Sequence, residues 1–164
     1  MTTVTVLRHA ESNYPYDELT ANGINQAILI ARSLGRFDQL ISSSYERAQQ
    51  TIRLFGDNYS VDYRTDELNF KIKLPTAMDY TRYIFERHLE DLREAVEDFL
   101  SMVEEIGDER IVLVISHRVL MIGTYVLLKS GEIGENSSNL IDFDNLEGFN
   151  LLIREGRIIQ LETC

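Results

Sequence analysis

A chain of 164 residues suits one domain, expected to span residues 1–164, and leaves little room for two. Apolar residues make up 44% and charged residues 26%, a globular composition that excludes a disordered or fibrous chain. Sixteen Lys and Arg against 27 Asp and Glu give a net charge of −11, and such a surface repels nucleic acid and anionic membranes. An anionic ligand therefore needs a local basic cluster, which outweighs dispersed charge within a Debye length of about 8 Å. Cys164 stands alone, so no intrachain disulfide or CxxC metal knuckle forms, and a cytoplasmic location is expected. The first apolar stretch, Val4 to Leu7, stops at Arg8, too short for a secretory leader. Val119 to Leu128 falls short of a membrane span.

Strand and helix patterns alternate along the chain. Thr3 to Leu7 is β-branched and predicts a buried strand. Thr20 is the natural N-cap of an amphipathic helix carrying Ile24, Ala27, Ile28 and Ala31, with Gly35 as its stop. Asp38 to Ser42 is a short strand candidate. Ser44 is then expected to cap a helix over Tyr45 to Phe55, ended by Gly56. Residues 60–64 suggest an edge strand, and Thr65 to Met78, with Pro75, a loop. From Asp79 to Ile106 one long helix is expected, with Leu89, Leu92, Val96, Phe99, Val103 and Ile106 spaced 3-4-3-4-3. That face suits docking on a sheet, and a dimer contact is the alternative, leaving the chain monomer or homodimer.

Arg110 to Ser116 is nearly all apolar, as in a strand buried on both faces of a parallel sheet. Val119 to Leu128 follows as a buried helix, and Glu132 to Asn139 as a polar turn. Phe149 to Ile153 and Arg157 to Leu161 flank a hairpin turn. This order predicts an α/β fold, a three-layer α/β/α sandwich with a mostly parallel central sheet. Ligands bind such sheets at the carboxyl ends of the strands.

The chemically capable residues fall at those ends. Arg8-His9 follows the first strand, Ser42 to Arg47 the second, and Ser116-His117-Arg118 the most apolar one. No GxSxG elbow is present, nor a GxxxxGK[ST] or GxGxxG phosphate loop. A metal site from His9, Glu11 and His117 is opposed by the arginines beside both histidines, so no metal and no cofactor are expected. Arginine forks grip phosphoryl oxygens at two points, so the cluster is a dianion receptor with histidine inside it. His88, on the long helix, is expected to be a solvated surface residue.

Leu7-Arg8-His9-Ala10-Glu11-Ser12 resembles the RHGE[ST] signature of the histidine phosphatase superfamily, the phosphoglycerate mutase-like fold. The segment from Leu19 to Ala27 is similar to its LTxxGxxQA, Ser43 to Thr51 to its SSxxRAxQT, and Ser116-His117 to its SHG. The resemblance implies that His9 is the nucleophile and that Arg8, Arg47 and His117 surround the phosphoryl oxygens. It implies that Glu67 protonates the leaving oxygen. The implied activity is hydrolysis of a small-molecule phosphomonoester, or of a phosphoprotein, through a phosphohistidine. Phosphoglycerate mutase-type transfer and a non-catalytic phosphate-binding module are the alternatives.

The chain departs from that pattern at three places. Ala10 replaces a glycine. Pro15 stands where an asparagine is expected, with Asn13 nearby as a candidate substrate-binding residue. Arg118 replaces the glycine of SHG, and is expected either to meet a second anionic group or to point to water. Tyr14, Tyr16 and Phe70 to Leu74 are expected to set specificity if they line the mouth.

Overall fold

The computed structural model describes residues 1–13, 16–68 and 77–164. The β-branched opening segment forms β1 (Thr2–Arg8), and two short antiparallel strands, β2 (Ser12–Asn13) and β3 (Glu18–Leu19), follow it. Next come α1 (Ala21–Leu34), β4 (Gln39–Ser42), α2 (Glu46–Arg53) and β5 (Ser60–Val61). The second half carries α3 (Ala77–Arg87), α4 (Leu89–Glu104), β6 (Ile111–Ser116), α5 (Arg118–Ser130), β7 (Gly148–Arg154) and β8 (Arg157–Thr163).

Six strands form the central sheet in the order β5-β4-β6-β1-β7-β8. The first four are mutually parallel and β7 runs against β1, so the sheet is mostly parallel, as expected. Alternation along the strands divides the core in two. Val4, Val6, Val112 and Val114 pack with Phe85, Val96, Phe99 and Leu120, on the side of α3, α4 and α5. Leu7, Leu40, Leu113 and Ile115 pack with Ala48, Ile52 and Ile30, on the side of α1 and α2. β6 therefore reads as an unbroken apolar run because both of its faces are covered.

Insertion of β6 between β4 and β1 has a direct consequence for the site. The parallel registers set Arg8 beside Ser116 and Ser42 beside Ile115. Backbone bonds carry the pairing one residue past the strand ends, from His9 N to Ser116 O at 3.1 Å and from Ser43 N to Ile115 O at 3.1 Å. The three chemically loaded turns are thus neighbours.

Several local expectations hold. The Thr20 side chain accepts from the Gly23 amide, and Gly35 closes α1 at φ 82°. The hairpin turn places Glu155 and Gly156 at φ 52° and 68°, the left-handed region such a turn requires. Three others change. Residues 60–64 form a strand only at Ser60–Val61; a 3-10 turn at Tyr63–Thr65 follows, with the Arg64 amide donating to the Asp62 carboxylate. The helix expected over 79–106 is two helices, broken at His88 with φ −132° and ψ 38°. Apolar spacing continues through the break, so periodicity does not reveal it. The His88 ring bonds Asp91 at 3.1 Å and meets Tyr83 rather than standing free in solvent. Third, Ser44 does not cap α2, for a reason that belongs to the site.

Gly148 opens β7 where its backbone presses on β1. A Cβ built there would lie 1.8 Å from the Val6 carbonyl oxygen. Gly148→Ala must part β7 from β1, and we expect a loss of roughly 3 kcal/mol or more in urea unfolding.

Candidate active site

His9 follows the last residue of β1 and is only 7% exposed. Its Nδ1–H donates to the Ala10 carbonyl at 2.8 Å, which leaves Nε2 with its lone pair. The Arg47 Nε–H donates to that lone pair at 3.1 Å. Burial chiefly, with Arg47 and Arg8 nearby, lowers the His9 pKa to about 3, so the ring is neutral. The Ala10 amide donates to Thr51 Oγ1, and the Thr51 hydroxyl donates to the Arg47 carbonyl. The loop carrying His9 is thereby locked to the helix carrying Arg47. The Ala10 methyl is wholly buried beside Leu19 and Ala27, which accounts for the small residue there.

His117 precedes α5 and is fully buried. Its Nε2 lies 2.6 Å from Ser43 Oγ, and its Nδ1 accepts from Arg47 Nη2 at 3.2 Å. Burial, then His9, Arg47 and Arg8, pushes its pKa well below the ordinary histidine value. The two imidazole centroids are 5.2 Å apart. Residues separated by more than a hundred positions therefore meet at one place.

Arg47 joins them. It is the second residue of α2 and its side chain is 15% exposed. Besides the two imidazoles, Nη1 meets Asp17 Oδ1 and Nη2 meets Glu67 Oε2, each at 2.6 Å. Tyr45 lies under the guanidinium, whose carbon is 4.6 Å from the ring centroid. Burial raises the Glu67 pKa, against the opposing pull of Arg47 and Arg8. A carboxyl raised in this way keeps a proton to higher pH and is fit to donate it.

Arg8 reaches the same site through its field rather than by direct bonds to these groups. It acts on His9, Glu67 and His117 electrostatically, while its Nη1 donates to the Phe143 carbonyl at 3.0 Å. Its buried Nε has no hydrogen-bond partner among the described residues, so one donor is in reserve for an anion. Burial and the neighbouring Arg118 lower the Arg8 pKa. Arg118, the first residue of α5, turns to Asp142 in an ion pair. Asn13 is exposed on β2. Tyr14 and Phe70 to Leu74 lie outside the described residues.

Sequence reasoning missed Asp17. It expected Ser44 to cap α2, but that helix begins after Tyr45 with no cap from its own side chain. Ser44 instead gives its amide and hydroxyl to Asp66, both at 2.6 Å. The Glu46 amide donates to Asp17 Oδ2 at 2.7 Å, and the Arg47 amide points to Oδ1 at 3.4 Å. A cap supplied from 29 residues away has no local signature. Ser43, bonded to His117 Nε2, and Tyr45, whose ring centroid lies 5.0 Å from that of His117, were also missed.

Other residues of the matched motifs brace the site. Glu11 accepts from the Thr20 hydroxyl at 2.6 Å and from Asn22 at 3.1 Å, so its carboxylate faces α1 rather than a metal shared with the histidines. Gly23 lies so close to the Glu11 carbonyl that a Cβ would come within 2.2 Å of its oxygen. Gln50 Oε1 accepts the Leu19 amide at 2.8 Å.

Residues 4–71 match the family model of the histidine phosphatase superfamily, branch 1. The resemblance carried by the first three motifs is borne out by that match. A putative α-ribazole-5′-P phosphatase from Escherichia coli superposes with a TM-score of 0.78 at 19% identity, over 99% of this chain and 96% of its own. A mycobacterial glucosyl-3-phosphoglycerate phosphatase bound to VO3 gives 0.76 at 21%, over 99% and 96%. A phosphoserine phosphatase from Entamoeba histolytica with 3-phosphoglyceric acid gives 0.74 at 21%, over 97% and 94%. At such identities these structures show a common phosphoglycerate mutase-like fold. No curated protein sequence matches. No described helix is long and apolar enough to cross a membrane.

The lowered histidines link protonation to folding. Both rings take up protons less readily in the folded chain than in the unfolded one, His9 only near 3 against an ordinary 6.5, so stability falls as pH drops below the ordinary histidine range. In urea unfolding between pH 5.5 and 4.5, His9→Asn should flatten the dependence by about 1.4 kcal/mol per pH unit.

Proposed function

We propose that the protein is a metal-independent phosphomonoesterase acting through a phosphohistidine at His9. The observation that carries this reading is the His9 tautomer. Its Nδ1–H is committed to the Ala10 carbonyl, and its Nε2 lone pair faces Arg47, which also bonds His117. A neutral, oriented imidazole is a competent nucleophile at phosphorus.

In the first step the Nε2 lone pair forms a bond to phosphorus and the ester P–O bond breaks. The Glu67 proton passes to the leaving oxygen. In the second step water attacks phosphorus, its proton goes to Glu67, and the N–P bond breaks to release inorganic phosphate. Arg8, Arg47 and His117 would hold the equatorial oxygens, where charge spreads in the transition state. The Ser43 hydroxyl next to His117 Nε2 can either accept or donate. His117 can therefore present Nδ1–H to a phosphoryl oxygen by changing tautomer, without gaining a charge in a buried place.

The substrate side is assigned more broadly. Solved relatives are named for three different phosphomonoesters, which supports the class rather than one compound. Arg118 and Asn13 belong to this reading as candidate contacts to the rest of the substrate, small molecule or phosphoprotein.

His9→Ala is expected to abolish hydrolysis of an aryl phosphate while circular dichroism stays unchanged. Full activity in that variant would end the proposal. Chelators should leave the rate unaltered and vanadate should inhibit. Glu67→Gln should slow alkyl phosphates by 100-fold or so, and aryl phosphates with good leaving groups much less, in a steady-state comparison of both ester types.

A further inference from the structure

Arg47 is asked to hold a phosphoryl group, yet its donors are already engaged. The Nε–H and Nη2–H bonds to the imidazoles lie along one edge of the planar guanidinium, aimed at His9 and His117. That edge has the fork geometry that receives two phosphoryl oxygens. Nη1, on the far side, bonds Asp17 Oδ1 at 2.6 Å. The same carboxylate takes the Glu46 amide at 2.7 Å and is approached by the Arg47 amide at 3.4 Å. One side chain from the turn before β3 thus grips both ends of Arg47, its backbone at the start of α2 and its guanidinium.

Bond formation at His9 Nε2 requires the Arg47 Nε–H to let go of that lone pair. Something must hold the guanidinium while it exchanges two imidazole nitrogens for two oxygens. The Glu67 contact is unsuited, because Glu67 must itself be protonated to act as an acid, and a neutral carboxyl grips a guanidinium weakly. The Tyr45 face restrains tilt but supplies no direction in the plane. The Asp17 carboxylate bonds Arg47 and the first amides of α2 and none of the reacting groups, and its bond to Nη1 lies away from the fork edge.

We propose that Asp17 is the positioning residue of Arg47: it anchors Nη1 and the first turn of α2 together, so the fork edge passes from the imidazoles to the phosphoryl oxygens about a fixed point. This inference rests on the phosphatase reading for the identity of the anion. It separates Asp17 from an ordinary helix cap, which would stabilise α2 without affecting catalysis, and from a resident anion competing with substrate.

The test compares Asp17→Ala and Asp17→Asn with the wild type in steady-state hydrolysis of an aryl phosphate, corrected for folded fraction by circular dichroism, and in calorimetric titration with vanadate. Loss of a charge-assisted bond that acts in the transition state predicts a kcat for Asp17→Ala lower on the order of 10- to 100-fold. KM should change less than about threefold, because the bond is used mainly in the transition state. Asp17→Asn, which keeps one acceptor oxygen without the charge, should fall between. Vanadate should bind Asp17→Ala at least about tenfold more weakly, and less than about twofold more weakly when the same change is made in an Arg47→Ala background.

Unchanged kcat and vanadate affinity in Asp17→Ala would overturn the proposal, as would tighter vanadate binding or equal losses with and without Arg47. A wild type that fails to hydrolyse phosphomonoesters would overturn the phosphatase reading instead. The vanadate cycle would then decide the role of Asp17 by itself.

Discussion

A guanidinium held between two neutral imidazoles, the Asp17 carboxylate and the Glu67 carboxyl group is the contact on which this site depends. Arg47 lies largely out of water, where an unpaired charge is costly, and Asp17 and Glu67 both meet it at 2.6 Å. The histidines contribute acceptors without charge because burial and the arginines keep them unprotonated. Protonating either ring would set a cation against Arg47 in a poorly screened place, so the neutral tautomers and the arginine positions maintain one another.

The sheet topology makes that contact possible. β6 lies between β4 and β1, so the turns after all three strands emerge side by side, and α2 begins where its second residue can reach both histidines. Much of the matched sequence serves this placement rather than the chemistry. Thr51 ties the His9 loop to α2, and Gln50 holds β3 against the same helix. Glu11, Thr20 and Gly23 join that loop to the start of α1. The chemistry needs few side chains, but those few must keep hydrogen-bond distances, and the braces supply that precision.

Much of the architecture was legible because strands and helices report burial through their periods. The apolar run at 111–115, the Thr20 cap, the Gly35 stop and the closing hairpin were readable locally, since each depends on residues within a few positions. The break at His88 was not, because the spacing of buried residues passes through it unaltered. Ser44 misled for a related reason. A serine before a helix is a sound local cap, but Asp66 takes its hydroxyl and the Asp17 carboxylate takes the helix amides.

The order of residues is enough to specify the succession of strands and helices and the placement of histidine and arginine after three strands. It also set the motif residues that carry the family resemblance, because all of these are written in short-range pattern and composition. Which donors meet which acceptors is settled by packing in three dimensions. The pairing of Asp17 with Arg47, the lowered histidines and the raised Glu67 depend on distance, burial and neighbouring charge between residues far apart in the chain. Such quantities are properties of packed space, and no local run of residues encodes them.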